Sequence, residues 1–339
     1  MGFFDTLNSK YILLFLLIVI LLIIILKYLY SILNQSSINL NNFMKIYTSA
    51  PTLNSINLNM EEPLRNFYIK TAYNCCCTGK FKNGYVDLGA LEICLSQGVR
   101  CLDFQIYSIE DKPVVAASSV NCFNNKETYN SIPVENVLNT IKQLAFSSSI
   151  CSNSKDPLIL HFRIMNNNAN MYNNFAEIIN NSNLPRLPNK YSNEYTTADS
   201  NDNKVKNLGA EKIKEFKEKV IFIIHGADTF YRSTQLDEFI NMASGQAFMH
   251  LINYSEIKNN HNQEITTFNK NNMSIVIPDK QTNYDNPNFN LSRKLGCQFI
   301  AMSFHNNDEN LKQYNQYFND SKSAFVLKPN LLRSPRTVI

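Results

Sequence analysis

Tyr11 to Leu26, YILLFLLIVILLIIIL, is a run of sixteen residues with no charge and no glycine. It restricts the fold more than any other feature of the chain. An α-helix over this run rises roughly 24 Å, and continuing through Lys27 to Leu33 gives roughly 34 Å. That is enough to cross a hydrocarbon layer about 30 Å thick. A helix that is apolar on every side has no polar face to offer water, so the run predicts one membrane-spanning segment over 11–33. Lys10 and Lys27 can reach toward the two interfaces, where Tyr11, Tyr28 and Tyr30 are also well placed. A cleaved leader would need a short cationic start and small residues at a cleavage site, and this run has neither. The expectation is an uncleaved single-pass anchor, which places the protein at a membrane. Lys10 lies on one flank and Lys27 and Lys45 on the other, so charge does not say which side the rest occupies. Met1-Gly2-Phe3-Phe4-Asp5-Thr6 fits the loose myristoylation pattern.

Residues 1–10 form a short segment before the anchor. Residues 34–61 are polar, rich in Asn and Ser, and predict a stalk. The remainder alternates short apolar runs with amphipathic ones. Strands are expected at 67–73, 100–107, 113–118, 157–164, 219–225, 248–254, 274–278 and 298–304. Over 134–146, Val134, Val137, Leu138, Ile141 and Leu144 follow helical spacing, and 209–218 places Ile213 and Phe216 on one helical face. Residues 183–207 lack periodicity and predict a linker between halves at 62–182 and 208–335, with four strands in each. Eight strands with helical connections predict an α/β fold, a parallel sheet closed into a (β/α)8 barrel, which needs about 250 residues. The excess of Lys and Arg is small, 32 against 28 acidic residues, and speaks against a nucleic-acid partner. The basic run Lys204–Lys219 predicts the solvated face of a helix. Of the eight cysteines (Cys75, Cys76, Cys77, Cys94, Cys101, Cys122, Cys151 and Cys297), none has zinc-type pair spacing. Cys101 and Cys297 lie in apolar surroundings that predict reduced core thiols.

Several segments match a known family in order. Thr71-Ala72-Tyr73-Asn74, Gly98-Val99-Arg100-Cys101-Leu102-Asp103-Phe104, Pro113-Val114-Val115 and Pro157-Leu158-Ile159-Leu160 resemble the first catalytic half of eukaryotic phosphoinositide-specific phospholipase C. Thr282-Asn283-Tyr284-Asp285-Asn286-Pro287 resembles that family's Ser-Asn-Tyr-Asn-Pro with one residue inserted. Gly296-Cys297-Gln298-Phe299-Ile300-Ala301-Met302-Ser303-Phe304 and Phe325-Val326-Leu327-Lys328-Pro329 continue the match, which covers roughly 62–335. The resemblance implies a distorted (β/α)8 barrel split by a linker. It also implies a phosphoric diester hydrolase using two histidines and Ca²⁺ held by an Asn and three carboxylates.

The departures fall on the positions that carry this chemistry. By the resemblance, Tyr73 and Ala117 stand where the two catalytic histidines belong. Asn74 keeps its metal-ligand identity and Asp103 shortens a Glu. Gln105 replaces an Asp, and Arg163 replaces the third carboxylate. Asp103 and Gln105, two apart on a strand, share a face. A cation about 4 Å from a unit charge costs about 4 kcal/mol at an effective dielectric near 20, and a divalent ion doubles that. Arg163 is therefore expected to pair with Asp103 in place of the ion, and no cofactor is expected. His161 and His225 are the alternative acid–base candidates; a phenol such as Tyr73, with a pKa near 10, is a poor base at neutral pH. Ile224-His225-Gly226-Ala227 stands where the family has Lys-x-Lys, a family arginine falls near Ile275, and Lys280 is isolated. The leading expectation is a membrane-anchored, phospholipase-C-like pseudoenzyme that acts as a binding or structural module. Its expected partners are the membrane and either a phosphoinositide headgroup or a protein. The alternative is an active phosphoinositide phosphodiesterase with a rebuilt site.

Overall fold

The structure is a computed structural model that describes residues 3–120, 123–195, 207–225, 229–259, 262–279 and 285–334. Its first element is one long helix, α1 (Phe3–Ile46). From Tyr11 to Leu33 its leucine, isoleucine and aromatic side chains are exposed. The helix does not end with the apolar run. It continues through the first part of the expected stalk, and its far end packs on the barrel. Phe43 is buried, edge-on to Tyr47 at 5.6 Å. Tyr47 stacks on Phe304 at 6.0 Å and donates its hydroxyl to the Phe304 carbonyl at 3.0 Å. Leu53 and Ile56 are also buried. The Leu53 amide donates to Ser152 Oγ (3.0 Å), the Asn54 amide to the Lys322 carbonyl (2.8 Å) and the Ile56 amide to Asp156 Oδ1 (2.6 Å). The polar stalk expected over 34–61 is helical to Ile46 and, beyond it, a strap docked on the barrel. Its composition is polar, but a few large apolar residues and paired backbone amides are enough to hold it.

Behind the strap, β1 (Phe67–Ala72) and α2 (Leu88–Ser96) lead to the hairpin β2 (Cys101–Ile109) and β3 (Lys112–Ala116). Next come β4 (Ile132–Pro133), α3 (Val134–Leu144), β5 (Leu158–Ile164) and α4 (Ala169–Asn181). The second half holds β6 (Val220–His225), β7 (Met242–Ala243), β8 (Met249–Asn253), α5 (Tyr254–Asn259), α6 (Asn262–Asn271) and β9 (Met273–Ile277). It ends with α7 (Phe289–Lys294), β10 (Phe299–Met302), α8 (Glu309–Asp320) and β11 (Phe325–Leu327). The strands run parallel in the order β7-β6-β5-β2-β1-β10-β9-β8, a nearly closed eight-stranded barrel. The end strands β7 and β8 meet through the turn at Gly245, whose amide donates to the Met249 carbonyl at 2.7 Å.

Eight barrel strands form, but one of the eight is not the one expected. β3 turns back antiparallel on β2, with Gln105 opposite Ala116, and lies outside the barrel order. Its place is taken by β7, two residues long and too short to leave a periodic signal. The halves thus contribute three and five strands, not four each. The helix expected over 209–218 is a pair of 3-10 turns, Leu208–Ala210 and Ile213–Phe216. Ile213 and Phe216 are both buried, because three-residue spacing faces one side in a 3-10 turn as it does in an α-helix. The expected linker is packed at its start: Leu184, Leu187 and Tyr191 are buried. Its remainder, 196–206, lies outside the described residues, with part of the Lys204–Lys219 run.

Strand alternation sorts the side chains. Phe104, Phe162 and Phe222 stack outward across three strands at 5.6 and 6.2 Å, and Phe162 meets Phe175 of α4 at 5.0 Å. Their odd-numbered neighbours point into the barrel. Asp87 caps α2 by accepting from the Gly89 amide at 2.8 Å. At the other end of α2, Gly98 has φ +74°, and a Cβ there would come within 2.5 Å of Leu53. A residue with a side chain would therefore be strained and would also push the strap away.

Candidate functional site

The inward residues of β2, β5 and β6 are set by register. Asp103 lies opposite His161, Gln105 opposite Arg163, and Arg163 opposite His225. Arg163 holds Asp103 through two parallel bonds, Nε to Oδ2 at 2.9 Å and Nη2 to Oδ1 at 2.7 Å. The same Nη2 reaches Asn74 Oδ1 at 2.8 Å. Asn74, in the left-handed region at φ 42°, donates its backbone amide to Asp103 Oδ1 at 3.1 Å. The guanidinium also lies 4.5 Å from the centre of the Tyr73 ring, a cation–π contact. All four residues are buried.

A second chain starts from the same carboxylate. His161 Nδ1 lies 2.7 Å from Asp103 Oδ2, and His161 Nε2 lies 2.8 Å from Ser244 Oγ. Asp103 is a carboxylate and can only accept, so Nδ1 carries the proton and Nε2 faces the serine. Ser244, just past β7, is fully buried. Its carbonyl lies 3.1 Å from Nδ1 of His225. Burial pushes the Asp103 carboxyl up, but Arg163 and the bond from His161 outweigh it and hold the group well below the usual carboxylate range. Arg163 is disfavoured by burial, yet Asp103 beside it keeps it firmly charged. Burial, and then His161, lower His225 to about 4. Burial raises the Tyr73 hydroxyl, so it stays protonated at neutral pH and has no basic form to offer.

Gln105 is occupied elsewhere: its Oε1 accepts from the Ser118 amide at 2.7 Å. Ala117 is buried with no ionisable group of its own, and its amide donates to Thr128 Oγ1 at 3.3 Å. Ile275 is buried in β9. Gly226, Ala227, Lys280, Thr282, Asn283 and Tyr284 lie outside the described residues, as do Gly2 and Cys122. The other seven cysteines are free and buried. Tyr73, Asn74, Asp103, His161 and Arg163 thus converge in one cluster, with Gln105 and Ala117 at its edge and His225 linked through Ser244. Sequence reasoning missed Ser244, since a lone serine after a two-residue strand carries no pattern.

The oxygens here are already engaged. Both Asp103 oxygens, Asn74 Oδ1 and Gln105 Oε1 accept bonds from protein donors. The buried polar atom left without a partner at Asn74 is Nδ2, a donor. Among the described residues no group of three His, Cys, Asp or Glu side chains is arranged to hold a metal ion.

A nearly closed parallel barrel with a polar cluster inside the carboxyl ends of its strands defines the class, a TIM-type α/β barrel. Residues 60–223 match the family model for the phosphatidylinositol-specific phospholipase C X domain, and residues 226–331 match the Y domain model. The chain belongs to the phosphatidylinositol-specific phospholipase C family. Among solved structures it is similar to PLC21 of L. pealei, with a TM-score of 0.63 and 15% identity over 83% of this chain and 39% of that one. PLC21 of S. officinalis gives a TM-score of 0.63 and 16% identity over the same shares. The chain therefore spans about two fifths of the length of these relatives. No curated protein matches the sequence.

Proposed function

We propose that this protein is a membrane-anchored member of the family that has given up calcium-dependent phosphodiester cleavage and serves as a binding or structural module. One observation carries the reading: the Arg163 guanidinium occupies the centre of the oxygen cluster, forked on Asp103 and bonded to Asn74. A hard divalent cation needs six or more free oxygens, and these residues do not fit it. The acceptors are taken, a fixed positive charge sits among them, and the spare valence at Asn74 is a donor. Tyr73 and Ala117 supply no proton acceptor near neutral pH. The helix α1, long and apolar enough to span a bilayer, supplies the anchorage.

The test is release of headgroup from phosphatidylinositol and its phosphorylated forms by the full chain, with Ca²⁺ and with chelator. No turnover in either condition is expected. Turnover that chelation abolishes would overturn the proposal. A parallel thermal-shift series adds a positive control: Ca²⁺ leaves the parent midpoint unmoved, while Arg163→Glu, which restores a carboxylate, gains a calcium-dependent shift.

A second reading, an active hydrolase with a rebuilt site, draws on the chain Asp103–His161–Ser244, which has the order of a nucleophile–base–orienter relay. It predicts turnover that is indifferent to chelator and lost in Ser244→Ala. The complete burial of Ser244 weighs against it.

A further inference from the structure

One loop joins the site to the membrane helix. After Tyr73 and Asn74 the chain leaves β1, passes beneath α1 and returns at α2. Along the way the Tyr85 hydroxyl points at the Ile32 carbonyl, 3.5 Å away. Between this loop and the helix lies a cavity of about 490 Å³. Ile32 and Gln35 line it from α1, Lys80, Lys82 and Tyr85 from the loop, and Tyr129 from the segment after β3. The rings of Tyr85 and Tyr129 lie 5.3 Å apart.

The loop is held from below. Phe81 is buried edge-on to Tyr73 at 5.7 Å and to His305 at 5.4 Å. Asn130 clamps Val86 from both sides, accepting from its amide at 2.9 Å and donating to its carbonyl at 2.8 Å. The Tyr129 amide donates to the Gly84 carbonyl at 2.9 Å. With Phe81 fixed inward, Lys80 and Lys82 on either side of it are both exposed. Among the described residues no carboxylate lines the cavity. Glu127, which accepts from Ser118 and Ser119, also feels the charge of Lys82.

Depth along the helix gives the cavity its meaning. Counting about 1.5 Å per residue from Tyr11, a hydrocarbon layer of about 30 Å ends near Ser31. Ile32 then marks the edge of the acyl region, and Gln35, about one turn further, stands among the headgroups. Two ammonium groups, two phenols and an amide therefore converge on the layer where phosphates reside.

We propose that the cleft between α1 and the 78–86 loop binds the phosphate of an anionic phospholipid headgroup. This rests on reading α1 as a membrane-spanning anchor. Lys80 and Lys82 supply the charge, Gln35 and the tyrosine hydroxyls supply hydrogen bonds, and Ile32 lies against the first acyl carbons. A volume of this size suits one headgroup. An occupied cleft would hold the face of the barrel that carries Tyr73 against the bilayer.

The test uses the full chain in nanodiscs of phosphatidylcholine alone, or of phosphatidylcholine with phosphatidylinositol. Lipid retained on release is weighed by native mass spectrometry, and amide exchange is followed over 78–86. Preferential retention of phosphatidylinositol and slowed exchange are expected. With about a factor of five lost per lysine near an anionic surface, Lys80→Gln with Lys82→Gln should lose about thirtyfold in preference. Lys142→Glu, an exposed lysine on α3, should lose none. A third arm adds inorganic phosphate to phosphatidylcholine discs, and protection there equal to that from the lipid would overturn the proposal in favour of a free-anion site. Resistance to alkaline extraction is measured alongside. A chain that stays in the membrane but retains both lipids equally overturns the proposal and leaves the anchor standing, whereas a chain that is extracted refutes the anchor and the proposal together.

Discussion

At the residue scale, the interior of this barrel is governed by how its buried charges are matched. Arg163 and Asp103 neutralise each other, the pairing expected from the family resemblance, which places both at the metal position. Lys70 has no such partner. It is fully buried on β1, with its ammonium donating only to the Gln97 carbonyl at 2.8 Å. Burial lowers it from its ordinary value near 10.5 to about 7. The unfolded chain keeps that proton up to about pH 10.5, while the folded chain gives it up above about 7. Stability is therefore lost as pH falls through this window and changes no further below it. Lys70→Met should raise unfolding free energy by about 1–3 kcal/mol at pH 7, with the gain vanishing toward pH 10.5. Denaturant midpoints of parent and variant at the two pH values check this, and a gain that does not depend on pH would refute it. His225 and His305, each lowered to about 4 by burial, act in the same direction at acid pH. Their stabilisation is complete above about 6.5 and is lost as pH falls toward 4. No signal in the sequence distinguished Lys70 from its neighbours, because its burial comes from elements far along the chain.

At the element scale, α1 combines two helices of different purpose. Its first part is apolar all round and legible at sight. Its second part is polar in composition, and only a few side chains reveal that it docks. Phe43 is 2% exposed, wedged where helix, strap and the Phe304 turn meet. Phe43→Ala should cost about 3–5 kcal/mol and open the 34–61 segment to protease while the barrel stays folded. Limited proteolysis with mapped cleavage sites measures this, and an unchanged pattern would show that the strap is held by its backbone bonds alone. The same logic explains why β3 lies outside the barrel. β3 is as apolar as its neighbours, but the turn at Glu110–Asp111, with φ 50° and 62°, sends it back along β2. A hairpin and a crossover can begin with the same strand pattern, and here the left-handed turn decides.

At the scale of the whole molecule, the barrel cannot be divided at its linker without exposing two strand edges. β5 of the first half pairs with β6 of the second across six registered positions, and β1 pairs with both β10 and β11. Residues 1–195 and 207–339 expressed apart should each fail to fold, and expressed together should co-purify as one barrel with the parent circular dichroism. A soluble, cooperatively unfolding single half would contradict this. The amino-acid order by itself determined the helix long and apolar enough to cross a membrane, the parallel barrel and the family, because each is written in local periodicity or in runs of adjacent residues. It also determined which side chains share a strand face, since that depends only on alternation. Tertiary structure alone decided that the strap is docked, that β7 replaces β3 in the barrel, and that Ser244 and His161 join the Asp103 cluster. Those facts depend on the distance between residues far apart in the chain, and such distances are fixed only when the sheet closes.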